Sequence, residues 1–279
     1  MSSFLFGTVG SPLSTPKKPG GSVGAIQTLS NLGLFAFELG WVQSVRVSEE
    51  TCALIRVEAQ KMNVSLSVHA PYFINLNGSE EEWPKSRKRL MDAAYFGNLA
   101  GATDIIFHPG SYFGNDPVDV LKIAIPRLAD CAAELNKVNN PVRLRPETMG
   151  KSAMLGSLED TLEMANNIPG VLPCLDFAHL HARPGDGTMN SPSEWETLIM
   201  EYAKRLGNNS LHELHIHLSG IEYSAKGERN HLPLRESDLN IEGLLQTLKK
   251  NDCKGRILCE SPIMEEDALY MQAFWNSLP

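Results

Sequence analysis

Along this chain, short apolar runs alternate with longer amphipathic stretches, and no Pro-, Gly- or Ser-rich linker separates them. Short apolar runs bounded by turn residues read as strands, and stretches with an apolar period of about 3.6 residues read as helices. The pattern predicts strands over 4–8, 34–39, 64–69, 104–108, 142–147, 171–176, 213–217 and 256–260. Helices are predicted near 21–32, 48–61, 80–100, 117–138, 157–167, 193–206, 240–250 and 265–276. Ser48 ahead of Glu49 and Glu50, and Ser157 ahead of Glu159 and Asp160, supply capping hydroxyls and first-turn carboxylates. Eight strands alternating with eight helices in 279 residues is the count of an α/β chain folded as a (β/α)8 TIM barrel, typically about 250 residues. One such domain is expected over 1–279. A doubly wound sheet is the competing fold, but a dinucleotide site would place GxGxxG after the first strand, and GTVGSP does not supply it.

Composition narrows the class without naming a chemistry. Hydrophobic residues at 42% and charged residues at 21%, with no low-complexity tract, exclude a disordered or fibrous chain. The net charge of -8 argues against a nonspecific nucleic-acid coat, whose affinity comes from cations placed on phosphates. The five Cys form no CxxC pair and read as reduced thiols, so a cytoplasmic protein is expected. The most apolar run, LGLFAFELGWV, contains Glu38 and falls well short of the roughly 20 residues that span a bilayer. No membrane association is expected, and no export signal is recognised at the N-terminus.

The ends of the strands carry the chemistry. The third to eighth predicted strands finish on His69, His108, Glu147, Asp176, His217 and Glu260, spaced 29 to 43 residues apart. In a barrel the carboxyl ends of the strands form one mouth, so these six side chains would converge there. Buried strands often end in a polar residue where they meet a loop, yet Lys, Asn and Ser would serve as well, and none occurs in this set. Imidazoles and carboxylates together suit zinc, manganese or iron. More than four ligands implies more than one ion. Glu147 and Glu260 each offer two oxygens able to bridge ions about 3.5–4 Å apart, the spacing of two-metal phosphoesterases. His179 follows Asp176 by three residues, and Glu228 and His231 repeat that spacing in GERNHLPL (227–234), read as a loop after the seventh strand. These residues extend the cluster toward a third ion.

SVHAPYFINLN (67–77), IIFHPGSYFG (105–114), PETMGKSAMLG (146–156), CLDFAHLHA (174–182), HLSG (217–220), NHLPL (230–234) and LCESP (258–262) resemble, in order, the motifs of the endonuclease IV family. These apurinic/apyrimidinic endonucleases belong to the xylose-isomerase-like TIM barrels, and the resemblance runs from about residue 60 to 265. It implies a monomeric enzyme with three zinc ions that acts on double-stranded DNA containing an abasic site. The bond on the 5′ side would be cleaved, leaving a 3′-hydroxyl and a 5′-deoxyribose phosphate. By matching position, His69 and His108 would hold the first ion and Asp176 and His217 the second, with Glu147 and Glu260 shared. His179, Glu228 and His231 would hold the third. Glu147 would also orient the nucleophile, which makes it the implied catalytic residue. Tyr72 and Phe73 match a DNA-binding loop that inserts into the minor groove beside an extrahelical abasic nucleotide, and Asn75 stands in the same motif. Three divalent ions would bring the formal charge from -8 to about -2, so net acidity is no bar to DNA.

The chain also departs from that family. The first strand reads GTVGS where a His is usual, and ELGWVQSVR lacks the matching Arg-bearing loop, leaving Arg46 as a stand-in. The third-ion loop usually carries Asp-x-His, whereas Arg229 stands two residues before His231, with Glu228 one further back. An alternative from the same superfamily is a sugar isomerase or epimerase using manganese or magnesium. Glu147, Asp176, His217 and Glu260 satisfy its ligand pattern alone, leaving His69, His108 and His179 without a role.

Overall fold

The computed structural model describes residues 4–279. Its strands are β1 (Phe4–Val9), β2 (Ala36–Gly40), β3 (Ser65–His69), β4 (Asp104–Phe107), β5 (Arg143–Pro146), β6 (Cys174–Asp176), β7 (Leu214–Leu218), β8 (Gly220–Ser224), β9 (Gly227–Leu232) and β10 (Gly255–Cys259). The helices are α1 (Gly21–Leu32), α2 (Glu49–Met62), α3 (Trp83–Ala100), α4 (Pro117–Lys137), α5 (Leu158–Asn167), α6 (Phe177–Ala182), α7 (Pro192–Leu206), α8 (Ile241–Lys250) and α9 (Glu265–Ser277). The capping residues read from the sequence act as such. Ser48 accepts from the Thr51 amide, and Ser157 forms a reciprocal capping box with Asp160. Helix α3 starts later than its amphipathic pattern suggests, with Pro84 in its first turn, where a missing N–H costs nothing.

Eight parallel strands pair in the order β5-β4-β3-β2-β1-β10-β7-β6. The two ends of that order meet through one parallel bridge between Glu147 and Cys174, where the Thr148 amide donates to the Cys174 carbonyl at 3.0 Å. The result is a nearly closed barrel, as the count of elements predicts. Two features differ from the sequence expectation. Residues 227–234, read as a loop, contain β9, which pairs antiparallel with β8. Gly227, at φ +93, takes the left-handed conformation at the turn of this hairpin. The short helix α6 follows β6 directly and is capped by Asp176, whose side chain accepts from the His179 amide.

Alternation along the strands separates two interiors. Phe37, Leu39, Val68, Ile105, Ile216 and Ile257 belong to the apolar layer packed under the helices. Each such side chain contributes on the order of 1.5–3 kcal/mol by leaving water. The residues between them face the barrel axis and, apart from apolar positions such as Ile106 and Leu258, many are polar. Asp104, Arg145 and Arg256 lie at the amino-terminal end, Glu38, Ser67 and His215 midway, and the His, Asp and Glu set at the mouth, nearly all buried. Most barrels fill this space with branched apolar side chains.

Candidate metal centre

His69 closes β3, Asp176 closes β6 and His217 is the last but one residue of β7, while His108, Glu147 and Glu260 follow β4, β5 and β10 directly. The structure brings all six together. Their ligand atoms form overlapping sets within 4.8 Å: His69, His108 and Glu147, then Glu147, Asp176, His217 and Glu260. A third set, Asp176, His179 and His231, adjoins them. Glu147 is common to the first two sets. Glu260 stands elsewhere than between those two, with Oε1 3.4 Å from His217 Nδ1 and Oε2 3.8 Å from His231 Nδ1.

Two ligands bound 2.0–2.2 Å from one tetrahedral zinc lie about 3.3–3.6 Å from each other. Glu147 Oε2 is 3.3 Å from His69 Nε2 and 3.6 Å from His108 Nε2. Glu147 Oε1 is 3.5 Å from His217 Nδ1, and the Nε2 atoms of His179 and His231 are 3.4 Å apart. Both oxygens of Glu147, Asp176 Oδ2 and His217 Nδ1 are buried without a hydrogen-bond partner among the described residues. Orphaned lone pairs at these spacings fit divalent cations, because an unpaired buried polar atom is otherwise costly. The other ring nitrogens are tied back. Nδ1 of His69, His179 and His231 lies 2.9, 2.9 and 3.2 Å from the carbonyls of Ala70, Thr148 and Glu260, which directs Nε2 of each inward.

The third set depends on the hairpin. On a regular strand Glu228 and His231, three residues apart, would point to opposite faces. Here Glu222 pairs with Asn230 and Tyr223 with Glu228, so Arg229 is the extra residue of a β-bulge. The bulge turns Glu228 onto the face that His231 uses, where its Oε2 stands 3.6 Å from His179 Nε2. Arg229 points away and pairs with Glu222 at 3.2 Å. Gly150 leaves room for this approach, since a Cβ there would lie 2.7 Å from the side chain of Glu228 and 3.0 Å from that of His179.

Electrostatics agree with a site lacking positive charge. Burial would raise the Glu147 carboxyl, but the surrounding imidazoles, His217 foremost, outweigh it and hold it well below its usual range. Asp176 is pushed up to about 6 by burial. Burial lowers His108 to about 3, so it stays neutral with a free lone pair. For His179 burial opposes the proton, yet Asp176 and Glu147 draw it on and the pKa rises well above normal. A cation entering the cluster would displace such protons.

A cavity of about 290 Å³ opens over the cluster, lined by His69, Tyr72, His108, His179, Glu228, His231 and Glu260. The Tyr72 ring stacks on His108 at 4.9 Å and is 46% exposed, while Phe73 beside it is 57% exposed with Arg89 over its ring. Asn75 is engaged within the protein. Its Oδ1 accepts from the Asn77 amide at 2.9 Å and packs against Gly110, tying the loop after β3 to the loop after β4.

Glu38, Ser67 and His215 escape sequence reasoning. Glu38 Oε2 accepts from Ser67 Oγ at 2.6 Å and from His215 Nε2 at 2.9 Å, directly beneath the cluster. One signal was present: a lone carboxylate inside the apolar run LFAFEL demands a buried partner.

Comparison with known proteins places this geometry among relatives. The profile of a family described as xylose isomerase-like TIM barrel matches residues 26–277. An uncharacterized protein of Methanocaldococcus jannaschii is 36% identical over 98% of this chain and 97% of its own length. A probable endonuclease 4 of Aquifex aeolicus is 26% identical over 73% of this chain and 72% of its own. Among solved structures, a D-tagatose 3-epimerase-like protein superposes with a TM-score of 0.70 at 17% identity, covering 96% of both chains. Endonuclease IV from Thermus thermophilus gives 0.67 at 21% identity, covering 96% of this chain and 97% of that one.

Proposed function

The chain belongs to the xylose isomerase-like TIM barrel family, and within it we propose a metal-dependent phosphodiesterase of the endonuclease IV kind. It hydrolyses the bond 5′ to an abasic site in duplex DNA, with three zinc ions held at the barrel mouth. The observation that carries this reading is the bulged hairpin, which sets Glu228 and His231 beside His179 and adds a third ligand group to the two that share Glu147. A sugar epimerase needs only Glu147, Asp176, His217 and Glu260, and would leave that construction idle.

In this reading His69, His108 and Glu147 hold the first ion, Glu147, Asp176, His217 and Glu260 the second, and His179, Glu228 and His231 the third. Divalent cations held there would supply Lewis acidity toward the phosphodiester and a water acidic enough to react near neutral pH. Glu147, with both oxygens buried and unpartnered, orients the attacking water. Tyr72 and Phe73 present exposed rings on the rim to the gap left by the missing base. Arg183 holds the loop after β5 in shape, donating to the carbonyls of Met149 and Met154 at 3.0 Å each.

The test is zinc-loaded protein mixed with a duplex containing one tetrahydrofuran abasic analogue. A single nick on the 5′ side leaving a 3′-hydroxyl is expected, together with three zinc ions per chain by elemental analysis. Intact duplex at an excess of zinc-loaded protein would overturn the proposal. The four-ligand set taken alone favours a second reading, a manganese-dependent epimerase. Exchange of a ketose C–H proton with solvent, without nicking, would support it.

A further inference from the structure

Glu38 is the buried charged group aimed at a proposed ligand but absent from the ligand set. It lies in β2, a strand that contributes no other side chain to the centre, and is fully buried one layer below the mouth. Its Oε1 stands 2.9 Å from Nε2 of His217, an ion-pair contact rather than a well-aligned hydrogen bond, and neither atom has a hydrogen-bond partner among the described residues. The opposite nitrogen of the same ring, Nδ1, faces Glu147 and Glu260. A neutral imidazole carries one proton, so the partner at Nε2 decides whether Nδ1 keeps a free lone pair.

We propose that Glu38 is the positioning residue of His217: its carboxylate, 2.9 Å from Nε2, keeps the ring proton on that nitrogen and so fixes the tautomer and ring orientation that leave Nδ1 open to a divalent cation. The inference rests on the metal-centre reading given above. Ser67 and His215 donate to the second carboxylate oxygen, which keeps Oε1 turned toward His217. The contrast within the centre supports the role. His69 is oriented through Nδ1 by the neutral main-chain carbonyl of Ala70 and offers Nε2. His217 is turned the other way round and leans on a charged carboxylate, which makes the imidazole a stronger donor to the metal.

Two measurements test this. In zinc-loaded wild-type protein with 15N-labelled histidine, long-range 1H–15N NMR should show His217 protonated at Nε2 and coordinated through Nδ1, the reverse of His69 and His179. A His217 ring protonated at Nδ1 would overturn the inference. In Glu38→Gln, one carboxylate oxygen becomes an amide that faces donors, and zinc competition against a chelator should show one ion bound about 10–100-fold more weakly. Unchanged affinity for every ion in a folded Glu38→Gln protein would also overturn it. Should that variant not fold, the wild-type spectrum decides alone. Wild-type protein that binds no zinc removes the metal reading and this inference together, whereas zinc binding with the opposite tautomer removes only this one.

Discussion

At the amino-terminal end of the barrel, the buried carboxylate of Asp104 accepts from Arg145 Nε at 2.6 Å and Arg143 Nε at 3.0 Å, with Arg256 3.2 Å away and Thr103 donating at 2.6 Å. At the opposite end Glu147, equally buried, lies among imidazoles and has no hydrogen bond on either oxygen. The two sites use the same carboxylate chemistry at the same burial, but differ in what surrounds it. Guanidiniums keep their protons and present fixed donor forks, so the floor is complete without any added group. Imidazoles can give up a proton and expose a lone pair, so the mouth can exchange protons for metal. A closed floor and an open mouth in one polar barrel interior separate the part that holds the fold from the part that does chemistry.

Removing the two carboxylates in turn should break this comparison most sharply. Asp104→Ala leaves three guanidiniums facing one another, and a loss of about 3–5 kcal/mol in urea unfolding is expected. Glu147→Gln should cost far less stability in metal-free protein while abolishing binding of at least one ion. Equal stability losses in the two variants would refute the division. Next in size is the response to zinc itself. At about 100 times its dissociation constant it should stabilise wild-type protein by about 2.7 kcal/mol per site, and Glu147→Gln should lose most of that gain, read as a smaller rise in Tm.

Acid should act on the floor in a defined direction. Burial alone would raise the Asp104 carboxyl, but Arg145, Arg256 and Arg143 outweigh it and hold it well below its usual range. A folded pKa below the unfolded value of about 3.9 means stability that is present above that value and lost as pH falls through the folded one. Wild-type urea midpoints should therefore drop from about pH 5 downward more steeply than those of Asp104→Asn, and parallel profiles would count against the assignment. The smallest effect belongs to the rim. Tyr72→Ala should weaken binding to abasic duplex by on the order of 1 kcal/mol, seen in fluorescence anisotropy, while the number of bound metal ions stays the same.

Much of the mouth was legible because parallel strands end at one level: His69, His108, Glu147, Asp176, His217 and Glu260 stood at successive predicted strand ends. The floor was not. Arg143 and Arg145 in VRLRPE look like the polar face of a half-exposed strand, and only the pairing of β5 with β4, which sets Arg143 beside Asp104, turns them onto it. Glu228 posed a different difficulty. Spacing alone puts it on the wrong face of a strand, and its bulge is defined by pairing with β8, which a linear reading does not contain. Within KSRKR (85–89), Lys85 pairs with Glu82 and Lys88 with Asp92 nearby, and Arg87 with Glu134 of α4, so these cations serve helix surfaces.

By itself the sequence determined the alternation of strands and helices, because apolar period and capping residues act over a few positions, and it determined which side chains with lone pairs stand at the strand ends. Tertiary structure alone decided which of them share a centre. That outcome depends on barrel closure between β5 and β6, on the bulge that redirects Glu228, and on Glu38 reaching His217 across the barrel interior. Each of these joins residues distant in the chain, and the direction of a side chain across such a gap is set by the register of the strands rather than by the residues next to it.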